Sequence, residues 1–188
     1  EGSLLLKRGY RGRFAPSPTG PLHLGNLRTA LISWLRARLE QGTWFLRIDD
    51  LDTPRNRSGA VSQILMDLSW LGLAWDGPII FQSKRKKLYD LGLLSLRNNQ
   101  KLFACQCSRK IIREKQSYSN STYIYPGTCR NLSLSFDNSG EVKKSWRLKV
   151  KKDFQKTCGD IILRRSDGFI AYHLATVIDD LLLGISEI

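Results

Sequence analysis

The stretch Arg13-Phe14-Ala15-Pro16-Ser17-Pro18-Thr19-Gly20-Pro21-Leu22-His23-Leu24-Gly25-Asn26 joins a short apolar strand to the start of a helix through a loop of Pro, Gly, Ser and Thr. Leu4 to Phe14 can supply the strand. Leu27, Ala30, Leu31, Trp34, Leu35 and Arg38 then recur at helical spacing until Gly42 offers a stop. Gly20 and Gly25 let backbone approach a ligand without a Cβ in the way, and the amides of the helix start turn a partial positive charge towards it. This is phosphate-cradle chemistry, and His23 adds a donor on the same loop. Taken alone, a Gly-rich loop more often means a surface connection punctuated by proline, with His23 as a helix cap.

Working outward, Thr43 to Ile48 reads as a buried strand. Pro54, behind Asp52 or Thr53 as cap, starts a second helix whose Val61, Ile64, Leu65, Leu68 and Leu71 form one stripe before Gly72. Strand, helix, strand, helix in this order predicts an α/β fold with a parallel sheet and right-handed crossovers, and ligands on such sheets sit beyond the carboxyl ends of the strands. Past about residue 88 the pattern changes. Leu91 to Asn99 completes a helix and a cysteine-bearing polar stretch follows. Ser145 to Val150 and Asp160 to Leu174 read as strands, the latter folded about Ser166-Asp167-Gly168. This reads as an insertion, which divides the chain into 1–88 with 178–188 and an inserted 89–177. Asn131 to Lys144 is expected to be the mobile loop.

At 188 residues with 41% hydrophobic content the chain can bury a real core. A formal charge of +13 points to a polyanionic partner such as RNA, a generally basic proteome being the alternative. No apolar run approaches the roughly twenty residues of a membrane span, and Glu1 to Lys7 holds too short an apolar stretch for a signal peptide. A soluble, cytoplasmic protein is the expectation. Four cysteines in such a chain are reduced or metal-bound more often than paired. Cys105-Gln-Cys107 and Tyr125-Pro-Gly-Thr-Cys129 supply three thiols and a phenol that could converge on one tetrahedral ion, isolated structural thiols being the alternative. Tyr123 rivals Tyr125 for the phenol. Cys158 is left over as a small hydrophobe.

His23-Leu-Gly25-Asn26 resembles the HIGH signature of class I aminoacyl-tRNA synthetases, with Asn in place of the last His, and Arg13 to Gly20 in front of it resembles their glutamate branch. Arg47-Ile-Asp-Asp-Leu-Asp-Thr-Pro-Arg55, Trp70 to Asp76, Gln82-Ser-Lys-Arg85, and Arg164 to Tyr172 leading to Asp179-Asp180 extend the likeness nearly end to end. The resemblance implies a Rossmann-like nucleotide fold whose insertion grips the acceptor end of tRNA, with Gly184 to Ile188 as a strand returning to that fold. It implies that Pro16, Thr19, Gly20, His23, Gly25 and Asn26 hold ATP with Mg2+, His23, Gly25 and Asn26 serving the chemistry. Arg13, Phe14, Ala15, Pro16, Ser17, Asp49 and Tyr172 would then hold L-glutamate, Arg13 through a planar fork suited to a carboxylate. Asp49 stands where the family usually has Glu, which withdraws its carboxylate by about 1.5 Å, one carbon–carbon bond. The acidic run could instead cap the next helix, a role read here for Asp52. His173 is read as structural or exposed.

Cys-x-Cys completed by Tyr-x-x-x-Cys, with Leu-Asp-Thr-Pro-Arg55, is similar to the short glutamyl-Q tRNA(Asp) synthetases. This implies one structural Zn2+ on Cys105, Cys107, Tyr125 and Cys129. It also implies glutamate activation without tRNA, transfer to the queuosine of tRNA(Asp), and a monomer. A catalytic-domain fragment of an ordinary glutamyl-tRNA synthetase, a zinc-stabilised RNA-binding module without adenylate chemistry, and a small-molecule adenylyltransferase remain as alternatives. The family's lysine-bearing KMSKS signature has no counterpart before Ile188, so a fragment ending ahead of it is expected.

Overall fold

Side-chain alternation along one strand organises the first part of the chain. In β2 (Thr43–Ile48), Trp44, Leu46 and Ile48 share one face and are fully buried. They form a core with Phe14 of β1 (Arg11–Phe14), Ala30 and Ala37 of α1 (Leu24–Leu39), and Ile64 and Leu68 of α2 (Ala60–Trp70). Phe14 stacks on Trp44 with centroids 6.2 Å apart, and the Trp44 indole N–H donates to Ser33 Oγ at 2.9 Å, so the buried ring leaves no donor unpaired. The computed structural model describes residues 9–114, 124–139 and 141–188. Within them the chain up to Lys86 together with Thr176–Ile188 forms one compact unit, and Lys87–Ala175 forms another.

The first unit carries a parallel sheet in the order β1-β2-β3, β3 being Ile80–Phe81, with Arg11 opposite Thr43 and Arg47 opposite Ile80. Parallel pairing is what the strand, helix, strand, helix order demands. Within the described residues the first strand begins at Arg11, and Leu4 to Arg8 lie outside them. Pro54 starts only a 3-10 turn, Thr53–Arg55, and the helix waits until Ala60 because Gly59, at φ 76°, redirects the backbone. Asp52 makes no capping bond there; its carboxylate takes Arg55 Nε at 2.8 Å. Gly184 to Ile188 forms no assigned strand, although the Ser186 N–H donates to the Arg11 carbonyl at 2.9 Å along the outer edge of β1.

The second unit is built on an antiparallel sheet, β4 (Leu102–Cys105), β5 (Ser145–Leu148) and β6 (Ile162–Arg164), in that order. Its helices are α3 (Lys86–Asn98), which enters it, α4 (Arg109–Glu114), α5 (Lys152–Gln155) and the start of α6 (Tyr172–Leu183). Ser166-Asp167-Gly168 does reverse the chain, with the Arg165 N–H donating to Phe169 O at 2.8 Å. The expected return strand stops short, however. Ile170 makes a single bridge to Arg164, and Tyr172 to Leu174 belong to α6, whose buried Leu174, Ala175 and Asp179 follow a helical period rather than alternating. The described part of Asn131 to Lys144 makes specific contacts. Phe136 meets the Trp146 ring edge-on at 4.9 Å, and Asn138 brackets the Lys144 backbone at 2.8 and 3.1 Å. Cys158 is exposed, its thiol donating to Phe154 O, and is no buried hydrophobe. Among the described residues no helix is long and apolar enough to cross a membrane.

Asp76 ties the end of α1 to the start of β2. Its Oδ2 accepts the Trp44 backbone N–H at 2.7 Å and Arg38 Nη1 at 2.8 Å, while its own N–H returns a bond to Trp44 O at 2.8 Å. Partial burial works against the carboxylate, but Arg38 and the Trp44 amide outweigh it and hold the group below its ordinary value of 3.8. A depressed carboxylate contributes stability that is fully present above its unfolded value and disappears as pH falls through the folded one. Asp76→Asn should therefore cost about 1 kcal/mol at neutral pH, a modest figure because the pair is partly exposed. The gap between variant and wild type in urea unfolding should stay constant from about pH 7 to 5 and shrink below about pH 4.

Candidate active site

Beyond the carboxyl end of β1 the loop to α1 encloses a cavity of about 580 Å³. Arg13, Phe14, Ala15, Pro16, Ser17, Thr19, Gly20, His23 and Asn26 line it, all of them candidates from the sequence, joined by Pro21, Leu22, Thr29 and Arg57. The loop is stitched to the segment after β2 through main-chain bonds, Asp49 N–H to Pro16 O at 3.0 Å and Arg57 N–H to Pro18 O at 2.9 Å. Loop shape is thus set by two neighbouring strand ends rather than by local turn preference.

His23 is the N-cap of α1. Its Nδ1 accepts the N–H groups of Gly25 at 3.1 Å and Asn26 at 3.3 Å, and Asn26 Oδ1 returns a bond to the His23 N–H at 3.3 Å, a reciprocal capping box. The structural and chemical readings of His23 are therefore compatible. An Nδ1 that accepts leaves Nε2 as the protonated nitrogen, a donor. Gly25 serves differently from the expectation. Its N–H is already taken, and a Cβ there would come within 3.0 Å of His23 Cε1, so the missing side chain makes room for the imidazole rather than for an approaching ligand.

Behind the cavity lies a charged network that the sequence reading did not anticipate. Arg47, fully buried on the second face of β2, gives Nε and Nη2 to Asp49 at 2.6 and 3.1 Å and Nη1 to Asp180 at 2.8 Å. Asp180 also takes Arg13 Nε and Nη2, both at 3.0 Å, and its neighbour Asp179 binds Arg85 Nε at 2.7 Å and Gln82 Nε2 at 3.0 Å. Burial opposes the charge on Arg47, but Asp49, Asp180 and Asp179 together more than offset it and hold the guanidinium above its ordinary value. Arg13 meets Asp180 along one edge of its fork, which leaves the Nη1 edge and one Nη2 hydrogen for a ligand. Asp49 is engaged by Arg47 through both oxygens and is not part of the cavity lining. The one available signal was the adjacent pair Asp179-Asp180, whose charges had no assigned partner in the sequence. Tyr172 lies in the second unit, exposed at the start of α6 against His173, which is exposed too.

The second unit gathers the thiols. The sulfurs of Cys105, Cys107 and Cys129 all lie within 4.8 Å of one another, Cys107 and Cys129 at 3.5 Å, and the set could hold one metal ion. The Tyr125 oxygen sits 3.4 Å from Cys105 Sγ and accepts the Cys129 N–H at 2.7 Å. Tyr123 lies outside the described residues. Gly159, at φ +64°, permits this placement, since a Cβ on it would stand 2.8 Å from the Tyr125 nitrogen. Burial, then contact with Cys129 and the charge of Cys105, push Cys107 up to about 12, whereas at Cys105 burial is outweighed by the Tyr125 hydroxyl, the Cys107 amide and Arg147. A second thiolate in so small a volume needs a cation beside it.

His23→Ala should lower unfolding stability by about 1 kcal/mol, the usual cost of a lost N-cap. His23→Asn should restore most of it, because Asn caps well. Denaturant titration of the three proteins checks this, and a histidine facing ligand alone would leave all three equal.

The model of the family "tRNA synthetases class I (E and Q), catalytic domain" matches residues 10–188. The chain is 59% identical over 187 residues to the glutamyl-Q tRNA(Asp) synthetase of Prochlorococcus marinus (strain MIT 9303), and 42% identical over 194 residues to that of Chromobacterium violaceum. These alignments cover 100% and 95% of this chain and 61% and 64% of the relatives, so the chain spans about three fifths of the length of the curated relatives it matches. A glutamate tRNA ligase from Elizabethkingia meningosepticum, solved in complex with its amino acid, superposes with a TM-score of 0.79 at 29% identity, covering 94% of this chain and 42% of that one. With the family model matching all but the first nine residues, the chain belongs to the class I tRNA synthetases of the E and Q branch, within their catalytic domain.

Proposed function

We propose that this chain carries the amino-acid-activating part of a glutamyl-Q tRNA(Asp) synthetase. The observation that carries the reading is 59% identity along the whole chain to a protein of that name, with the cavity lined by the very stretch that the family resemblance marks. In this reading the α-carboxylate of L-glutamate attacks the α-phosphorus of ATP. One P–O bond forms, the bond to the bridging oxygen breaks, and pyrophosphate leaves with its electron pair to give glutamyl-adenylate. This activation needs no tRNA; the glutamyl group then passes to a hydroxyl of queuosine in tRNA(Asp), the ester C–O bond forming as the acyl–phosphate bond breaks and AMP leaves. The protein's part is to position two anions and to neutralise developing charge, with no nucleophile of its own. The Nε2–H of His23 donates to a phosphate oxygen, the free edge of Arg13 takes the side-chain carboxylate of glutamate, and Asp49, held by Arg47 behind the cavity, supplies the negative charge for the α-amino group. Mg2+ bound with ATP supplies charge neutralisation at the phosphates. The formal charge of +13 suits the RNA partner, and the activity belongs in the cytoplasm, where tRNA is found.

Pyrophosphate exchange tests this directly. ATP should become labelled in the presence of glutamate with no RNA added, in a protein extended to the relatives' length. Exchange that begins only on adding tRNA(Glu) would mark an ordinary glutamyl-tRNA synthetase, the reading favoured by the likeness to the Elizabethkingia ligase.

The donor set in the second unit fits Zn2+. With Zn–S near 2.3 Å and Zn–O near 2.0 Å, a tetrahedron has edges of about 3.5 to 3.8 Å, close to the 3.5 Å between Cys107 and Cys129 and the 3.4 Å between Cys105 and Tyr125. Four protein ligands leave no open position, so the role is structural. The chain should bind about one zinc with release of protons, and affinity should rise with pH because thiols must ionise. Cys129→Ser should lower both metal content and the midpoint of thermal unfolding, and a chelator should have no further effect on that variant.

A further inference from the structure

The cavity contains a cation that nothing above has put to use. Arg57 lines it, and its position is fixed by the main chain, since its N–H donates to Pro18 O at 2.9 Å. Its Nη1 lies beside Gly20, 3.9 Å from where a Cβ on that residue would stand. Among the described residues no carboxylate or carbonyl takes its guanidinium, whereas nearby Arg55 is bound to Asp52 at 2.6 Å. Several other donors at this loop are committed. The Gly25 and Asn26 N–H groups go to His23 Nδ1, and one edge of Arg13 goes to Asp180. A nucleoside triphosphate bears three to four negative charges, and an amide cradle already closed by an imidazole cannot meet them. We propose that Arg57 binds the polyphosphate in this pocket. It would meet the β- and γ-phosphate oxygens that leave as pyrophosphate, because it touches the Pro18 to Gly20 side of the loop while Arg13 to Ser17 read the amino acid.

This assignment rests on the nucleotide reading of the cavity, and the test separates the two. Binding of Mg·ATP, pyrophosphate and AMP to the chain is measured by calorimetry for wild type, Arg57→Gln and Arg57→Lys, after confirming equal thermal midpoints. Arg57→Gln should weaken ATP and pyrophosphate about tenfold or more and leave AMP within about twofold, with Arg57→Lys between, because an ammonium keeps the charge and loses the fork. ATP binding by wild type that is unchanged in Arg57→Gln overturns the role of Arg57 alone. Equal weakening of AMP and ATP also overturns it, since that marks a general disturbance of the pocket. Weakened binding of an RNA oligonucleotide with ATP unaffected reassigns Arg57 to the nucleic acid. Wild type that binds neither ATP nor AMP removes the nucleotide reading and this role with it.

Discussion

A single buried guanidinium holds the first unit to its site. Arg47 has no exposed surface, so its charge must be met inside the protein, and it is met by Asp49 just past the end of its own strand and Asp180 on α6. Because Asp180 also takes Arg13, and Asp179 next to it takes Arg85 and Gln82, the same network fixes the ends of β1 and β2, the turn after β3 and the body of α6. Such a network is not a cheap source of stability, since desolvating each ion offsets much of the attraction. Its value is geometric. A partner removed would leave a buried charge unmet, so each carboxylate and each guanidinium keeps one orientation, and Arg13 presents a defined edge.

The loop between β1 and α1 shows a comparable economy. One imidazole closes the helix start with its Nδ1 and keeps Nε2 for a ligand, and it can do so only because Gly25 has no side chain to displace it. Two amides of this helix start, those of Gly25 and Asn26, are therefore already taken. The cavity beside them is shaped by two segments distant in sequence, Arg13 to Asn26 and the stretch after β2, which main-chain bonds lock together.

Much of this was legible in the sequence wherever a rule acts locally or a period is long. The run Thr43 to Ile48 read as a buried strand, without showing which face of it is buried, and the order of strands and helices pointed to the parallel sheet. The cavity lining was readable because most of it is one contiguous stretch. Failures came where two local rules compete. Pro54 obeys the preference for a first helical turn yet ends up in an isolated 3-10 turn, because Gly59 reopens the backbone before the helix. Tyr172 to Leu174 could extend a strand, but the burial pattern that continues to Asp179 is helical. Arg47, Asp180 and Arg57 left little trace because their roles depend on partners up to 167 residues away or on a carbonyl such as Pro18 O, which no spacing reveals.

The closeness of Cys107 and Cys129 has a consequence for how the protein survives handling. Their sulfurs, 3.5 Å apart, stand only about 1.5 Å beyond the length of a covalent S–S bond. Stripped of an ion, the two sulfurs stand within reach of disulfide formation, and the resulting cystine would consume two donors at once and block remetallation. A bound cation would then act as a chemical guard, keeping a reductive fold from being trapped in a sealed, unserviceable form.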